Sequence, residues 1–534
     1  MTSDTAGGRR RWPTHLRRWG PLVPLTAIAF LLAWLNRSPW WGWALVVGLL
    51  VAVGATARWW ARGHALAQVG AWLLAGALVW ATAVFATPSP QVRIAGGEDR
   101  SPSRTVHTQE GPVVGVHNDD RTVEVFAGIP YAQAPVGELR WRAPQPPEPR
   151  SDVLVADRFS DVPVQATSTF FTRALSQVVE VPLEGTLLNP YPVSEDSLTL
   201  NIWRSTTPAS AALPVLVYIA GGGFQSGSGA LPLYDGEALA SRGELLTVTI
   251  NYRLGVLGFL SHPDLAAESG YDASGNYGIL DQIAALEWVS DNIAAFGGDP
   301  DRVTIAGQSA GGESVCILGA SPLADGLVHG IIGAAGACMG TTGDTERDDQ
   351  SDTRAVADEA GLRLSDALGG ATVEEMRAMP VERIEDAADS LGEHWRPSVD
   401  GYVLERPPPR PARHLDVPPD DALHVAVLAR AGPRRIRGWL SQNRVTTRAV
   451  FCGPALALAA GFAESAAESP SFADLWLPFA PYLESAVSPR SYSRSPRLLC
   501  SVDRSGSSGR DCSSLSATAS RRIGSASRAR PAVR

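Results

Sequence analysis

The chain has 534 residues, 45% of them hydrophobic and 19% charged, and a net charge of −9. That length holds one large catalytic domain plus extra segments, or two to three ordinary domains. The negative balance, with basic residues gathered mostly at the two ends, argues against a nucleic-acid partner. The five cysteines (Cys316, Cys338, Cys452, Cys500 and Cys512) include no C-x-x-C pair to support zinc or dithiol chemistry.

Three apolar stretches come first. Residues 19–35 (WGPLVPLTAIAFLLAWL), 40–57 and, apart from His64, 64–86 carry no charge. A spanning helix needs about 20 apolar residues, with a lower limit near 17. All three reach it, the first two narrowly. Trp19, Trp40, Trp41, Trp59 and Trp60 sit at the ends, as interfacial belts do. Arg9, Arg10, Arg11, Arg17 and Arg18 precede the first stretch, Arg58 and Arg62 separate the second from the third, and Arg37 stands alone between the first two. Positive charge stays on the cytoplasmic side. The pattern therefore predicts a cytoplasmic basic tail at 1–18 and a three-helix transmembrane anchor at 19–88. The rest of this multi-pass cell-membrane protein is then extracytoplasmic. A signal peptide followed by core helices would show one apolar region rather than three. Residues 89–112, rich in Pro, Ser, Gly and charge, read as a linker with a solvated His107.

The pattern then turns globular. VLVYI (215–219) ends in Gly221-Gly222-Gly223, LLTVTI (245–250) ends in Asn251-Tyr252-Arg253, and VTIAG (303–307) and GIIGAAG (330–336) follow. Helical stretches lie between them. In 280–297, Ile283, Leu286, Trp288, Val289 and Ile293 recur near helical spacing. Buried strands alternating with helices predict an α/β fold, a mostly parallel central sheet with helices on both faces. Sites in such sheets form at the C-terminal ends of strands. Gly221–Gly223 and Ser309 both sit at such ends.

Ser309 lies in Gly307-Gln308-Ser309-Ala310-Gly311. A G-x-S-x-G on its own is weak; here it runs from a strand into a helix, the context that makes it a candidate nucleophile turn. An acyl-transfer site also needs amide donors for the developing oxyanion, each worth about 3–4 kcal/mol of barrier. The backbone N–H of Ala310 is one candidate, and the glycine run after the earlier strand supplies others. Alone, those glycines read equally as a plain loop.

The chain resembles the type-B carboxylesterases, the cholinesterase-like branch of the α/β-hydrolases. The residues that carry the resemblance are FAGIPYAQAPVGELRWRAPQPPEP (126–149), SEDSLTLNIW (194–203), GGGFQSGS (221–228), NYRLGVLGFLS (251–261), GNYGILDQIAALEWVSDNIAAFGGDPDRVTIAGQSAGG (275–312) and RPSVDGYVLERPP (396–408), in family order. The resemblance spans 113–413. It implies an α/β-hydrolase fold, Ser309 as nucleophile, Gly222, Gly223 and Ala310 as oxyanion donors, a small-molecule ester as substrate, and neither metal nor cofactor. Three departures stand out. Ala220 replaces a histidine often found before the glycines, Gln308 stands where Glu is common, and Ser197 and Val164 occupy the positions of the family's first disulfide.

Agreement stops after 413. The family supplies a carboxylate from a later strand end and then a histidine. Residues 414–444 contain neither that acid motif nor any glutamate, and the last histidine of the sequence is His424. The catalytic acid and base are therefore unassigned. His414 and His424 fall in the acid's place rather than the base's, and Asp420 and Asp421 are weak acid candidates. His262, His329 and His394 read as structural or solvated, and Asp281, Asp299 and Asp400 as scaffold. Faint agreement returns at 451–468. Residues 471–534 are Ser- and Arg-rich, with little to bury, and read as a disordered tail. A frame shift near 415, reversed near 440 and repeated near 470, accounts for this alternation. The hydrolase domain is then 113–470, with 413–470 degenerate. The expectation is a membrane-anchored carboxylic-ester hydrolase impaired by loss of its acid and histidine. The alternatives are an inactive cholinesterase-like binding module and a truncated or frameshifted gene product.

Overall fold

The computed structural model describes residues 21–60, 65–98, 100–179, 189–334 and 353–405. The basic tail at 1–18, the degenerate stretch at 413–470 and the tail at 471–534 lie outside the described residues. So do His414, His424, Asp420 and Asp421.

Each apolar stretch near the N-terminus forms a helix: α1 Leu22–Leu35, α2 Trp40–Trp60 and α3 Ala65–Phe85. Neither α1 nor α3 carries a charged residue. At 1.5 Å per residue, the 21 residues of α2 and of α3 each cover about 30 Å, the thickness of a bilayer core. These two are long and apolar enough to cross a membrane; α1, with 14 residues, is shorter than a span. Pro21 sits at its N-cap and sets where it begins. The Asn36 side chain joins the far ends of α1 and α3: its amide donates to the carbonyls of Ala83 (2.7 Å) and Ala86 (3.2 Å).

The segment at 89–112 is more than a tether. The Arg93 guanidinium pairs with Asp235, donates to the Ala230 carbonyl (3.2 Å) and lies over the Phe159 ring. Val106–Thr108 pairs antiparallel with Gly111–Val114. His107 is exposed on that small strand pair.

The centre is a seven-stranded sheet made of β1 Val116–His117, β2 Val123–Pro130, β3 Thr199–Ser205, β4 Leu213–Ile219, β5 Leu246–Ile250, β6 Gly298–Gln308 and β7 Gly330–Ala334, in the order β7-β6-β4-β5-β3-β2-β1. The apolar runs read from the sequence are β4 to β7. They pair in parallel, β7 with β6, β6 with β4 and β4 with β5. The other three pairings, β5 with β3, β3 with β2 and β2 with β1, are antiparallel. Five strands (β2, β4, β5, β6 and β7) point one way, so the sheet is mostly parallel in direction but only half parallel in its ladders. The antiparallel half was not legible because β3 carries Asn201 and Arg204 among its apolar residues and breaks the continuous run. Val215, Val217, Ile219, Val248, Ile250 and Ile305 are wholly buried. Each contributes about 1.5–3 kcal/mol by leaving water.

Five helices of ten residues or more follow in the described domain. Helix α4, Phe170–Val179, precedes β3; α5, Tyr277–Asn292, lies between β5 and β6; α6, Ala310–Ala320, follows β6; α7, Arg354–Ala367, and α8, Val381–Leu391, come last. Ile279, Ile283, Leu286, Val289 and Ile293 of α5 and its extension join the same apolar core as the central strands.

Candidate active site

Strand β6 ends at Gln308 and α6 begins at Ala310, so the chain reverses direction across one residue. That residue, Ser309, has φ 55° and ψ −124°, a region costly for any side-chain-bearing residue. Its backbone N–H donates to the Ala334 carbonyl (2.9 Å) and its carbonyl accepts from Glu313 N (2.9 Å), so both neighbouring elements hold it in place. The turn is so tight that a β-carbon on Gly307 would lie 2.3 Å from the Gly311 carbonyl oxygen. One on Gly311 would lie 2.1 Å from the Ile219 carbonyl oxygen. Only glycine fits either position. Ser309 is half-buried, and its hydroxyl has no hydrogen-bond partner among the described residues.

Strand β4 lies beside β6, with Ile219 opposite Gly307. The glycine run after β4 therefore leaves the sheet next to the Ser309 turn. Gly221 is buried, while Gly222 and Gly223 are exposed. Gly222, at φ +128°, holds a backbone open essentially to glycine alone. Its carbonyl accepts from Gln225 N and Ser226 N, both at 3.1 Å, closing the loop on itself. The N–H groups of Gly222, Gly223 and Ala310 find no acceptor among the described residues. Backbone donors this close to water without a protein partner are available to a ligand oxygen.

Three supports of this corner had no sequence signal for the role they play. The Gln165 side chain clasps Gly227, accepting from its N–H (3.0 Å) and donating to its carbonyl (2.9 Å). The Tyr252 hydroxyl donates to the Ala220 carbonyl (2.9 Å). The Tyr234 phenol is hydrogen-bonded to Tyr218 and to the Gly221 backbone, and burial pushes its pKa up to about 12. Gln165 and Tyr234 belong to ordinary loop text, Tyr252 to one of the family-like blocks, and only the fold brings them to the glycines.

No described histidine or carboxylate is hydrogen-bonded to Ser309. His329 precedes β7, where its N–H donates to the Val303 carbonyl, at the opposite end of the strands from Ser309. The length of β6 between them is about 17–20 Å. Burial lowers the His329 pKa, disfavouring the charged ring. His262 caps a short helix through Nδ1, which accepts from Asp264 N (3.1 Å), and His394 is exposed. Asp281 is bound to Arg253, Asp299 to Arg302, and Asp400 accepts from the backbone of Tyr402, Val403 and Leu404. Each carboxylate is committed to the scaffold, as its surrounding text suggested. Val164 and Ser197 line one small cavity with Arg140, Glu195 and Leu257.

Residues 102–420 match the profile of the carboxylesterase family. The chain is 39% identical over 339 residues to the fumonisin B1 esterase of Sphingopyxis macrogoltabida, covering 64% of this chain and 58% of that protein. It is 46% identical over 232 residues to the para-nitrobenzyl esterase of Bacillus subtilis, covering 43% of each. Among solved structures, a carboxylesterase of Geobacillus stearothermophilus shares 38% identity over 57% of each chain, with a TM-score of 0.47. The chain thus spans about half the length of the curated relatives it matches.

Proposed function

The chain belongs to the carboxylesterase family, and from that premise we propose that it is a membrane-anchored carboxylic-ester hydrolase in which Ser309 is the nucleophile. The Ser309 oxygen bonds to the ester carbonyl carbon while the amides of Gly222, Gly223 and Ala310 hold the negative carbonyl oxygen. Collapse breaks the ester C–O bond, the alcohol leaves with a proton, and water then frees the acid from the acyl-enzyme. The observation that supports this reading is the contact between the two glycine corners, with Ser309 at a strained φ and the Gly222, Gly223 and Ala310 amides unpartnered among the described residues. The substrate is a small-molecule ester.

In this proposal the anchor has three spans, with the N-terminus cytoplasmic and the hydrolase domain outside. The arginine pattern supports that orientation, and Asn36, which ties together the C-terminal ends of α1 and α3, fits an up-down-up path of the three helices. The chemistry of this chain is impaired. A serine hydroxyl needs a base, and loss of the base in a serine hydrolase costs about 10⁶-fold in turnover, leaving about 10³–10⁴ over water.

The lack of any described histidine or acid bonded to Ser309 favours a second reading, a cholinesterase-like domain kept for binding. The full chain in vesicles, given a short-chain p-nitrophenyl ester and a fluorophosphonate probe, separates the two. Ester turnover or labelling that disappears in Ser309→Ala supports the hydrolase. Folded protein that neither turns over nor labels supports the binding module. Resequencing the gene across 413–470 tests the frame: an uninterrupted frame encoding this text eliminates the frame-shift explanation.

A further inference from the structure

The helix α4, FFTRALSQVV, is turned inside out for a helix on a soluble domain. Phe171, Leu175 and Val178 follow one another at helical spacing on one face and are 79%, 52% and 68% exposed. On the other face Arg173 and Ser176 are buried. No charged side chain interrupts the exposed face, because the only charge on the helix is Arg173 itself.

The polar face is buried against the end of the apolar helices. Arg173 Nε donates to Asn36 Oδ1 (3.1 Å), in the loop after α1. The Asn36 amide in turn donates to the last carbonyls of α3. One turn further along α4, the Gln177 amide oxygen, in the orientation that satisfies both groups, accepts from the Arg37 guanidinium. Helix α4 is thereby pinned at the level where α1 and α3 end. Leu31, Trp34 and Phe85, which approach that level from below, are themselves 52%, 51% and 75% exposed.

We infer that α4 is an interfacial membrane helix, whose Phe171–Leu175–Val178 face lies in the outer lipid boundary beside the anchor. This rests on the reading of α1–α3 as a membrane anchor. If α1–α3 cross a bilayer, the lipid around Leu31, Trp34 and Phe85 reaches the level of α4, so the occupant of its apolar face is the same lipid. Interfacial helices sink their apolar face about 5–10 Å into the headgroup and acyl boundary.

The test uses the full chain, with the cysteines outside the Cys316 disulfide changed to serine, reconstituted in phosphatidylcholine vesicles. Single cysteines are placed at Leu175, at Phe171, at Leu73 in α3 and at Ser151 on the domain surface, each labelled with an environment-sensitive fluorophore. All four positions are exposed, so the label disturbs no packing. Lipids carrying a nitroxide near the headgroup end of the acyl chain then quench by depth. The inference expects labels at Leu175→Cys and Phe171→Cys to be blue-shifted and quenched several-fold more than at Ser151→Cys. Labels at 171 and 175 that behave like the one at 151, while Leu73→Cys is quenched by deeper nitroxides, overturn the inference and leave the anchor standing. An unquenched label at 73 overturns the anchor, and this inference falls with it.

Discussion

A β-carbon built on Gly221 would lie 3.3 Å from the Ser309 Cβ and 2.2 Å from the Gln308 carbonyl oxygen. Two corners 88 positions apart in the chain are thus in van der Waals contact, and the backbone of one forms a wall of the other's turn. Gly221→Ala must push that wall back. We expect it to lower stability by about 1–3 kcal/mol. It should slow fluorophosphonate labelling by about 100-fold, the usual effect of a displacement of about 1 Å at a reacting centre. Thermal melting and labelling kinetics of the same preparation check both.

Ser309 is held at φ 55° by its neighbours. Glycine adopts that conformation freely, whereas alanine, like serine, pays a strain cost for its β-carbon. Ser309→Gly and Ser309→Ala should both lose covalent labelling, but the glycine variant should be the more stable of the two by about 1 kcal/mol. Equal melting temperatures would mean that the turn stores no strain.

The buried pair of Arg253 and Asp281 holds the turn after β5 against α5. Asp281, fully buried, accepts from Arg253 Nε (2.8 Å), Nη2 (2.6 Å) and backbone N (3.0 Å). Asp281→Ala leaves a guanidinium buried without its counter-charge, and should cost about 3–5 kcal/mol. The reading is a urea denaturation midpoint. A loss below about 1 kcal/mol, typical of an exposed pair, would show that the arginine finds water.

Glu385 on α8 has a carboxyl oxygen sealed from solvent with no hydrogen-bond partner among the described residues. Burial raises its pKa from 4.5 to about 7, helped by the nearby charges of Asp389, Glu195 and Asp386. A carboxyl raised on folding holds its proton longer in the folded chain. Its contribution to stability is therefore neutral below about pH 4.5, falls between there and pH 7, and is a constant penalty above. Glu385→Gln should flatten that window and raise stability at pH 8, on the order of 2 kcal/mol. Equal pH profiles for the two proteins would contradict this.

The parts of the fold readable in advance were those whose signal is local. Strands β4, β5, β7 and the second half of β6 are largely apolar runs without a charge, and the glycines bounding them have no substitute where backbones touch, so both corners and Ser309 stood out. Each of the three N-terminal helices was legible as an apolar stretch, but Pro21 starts α1 late and leaves it short. What could not be read was relational. Gln165 grips Gly227 from 62 positions away, and Asn36 reaches both α3 and α4, though nothing in either neighbourhood marks a partner. The inverted face of α4 was equally hidden, because its pattern is that of any amphipathic helix and only the fold shows which side faces out.

The central claim, that Ser309 is a nucleophile beside three waiting amides, is tested most directly by mass-spectrometric mapping after exposure of the folded full chain to a fluorophosphonate. The account predicts an adduct on Ser309, formed slowly and absent in Ser309→Gly. Folded protein with no adduct at Ser309, or with its adduct on another residue, would contradict it.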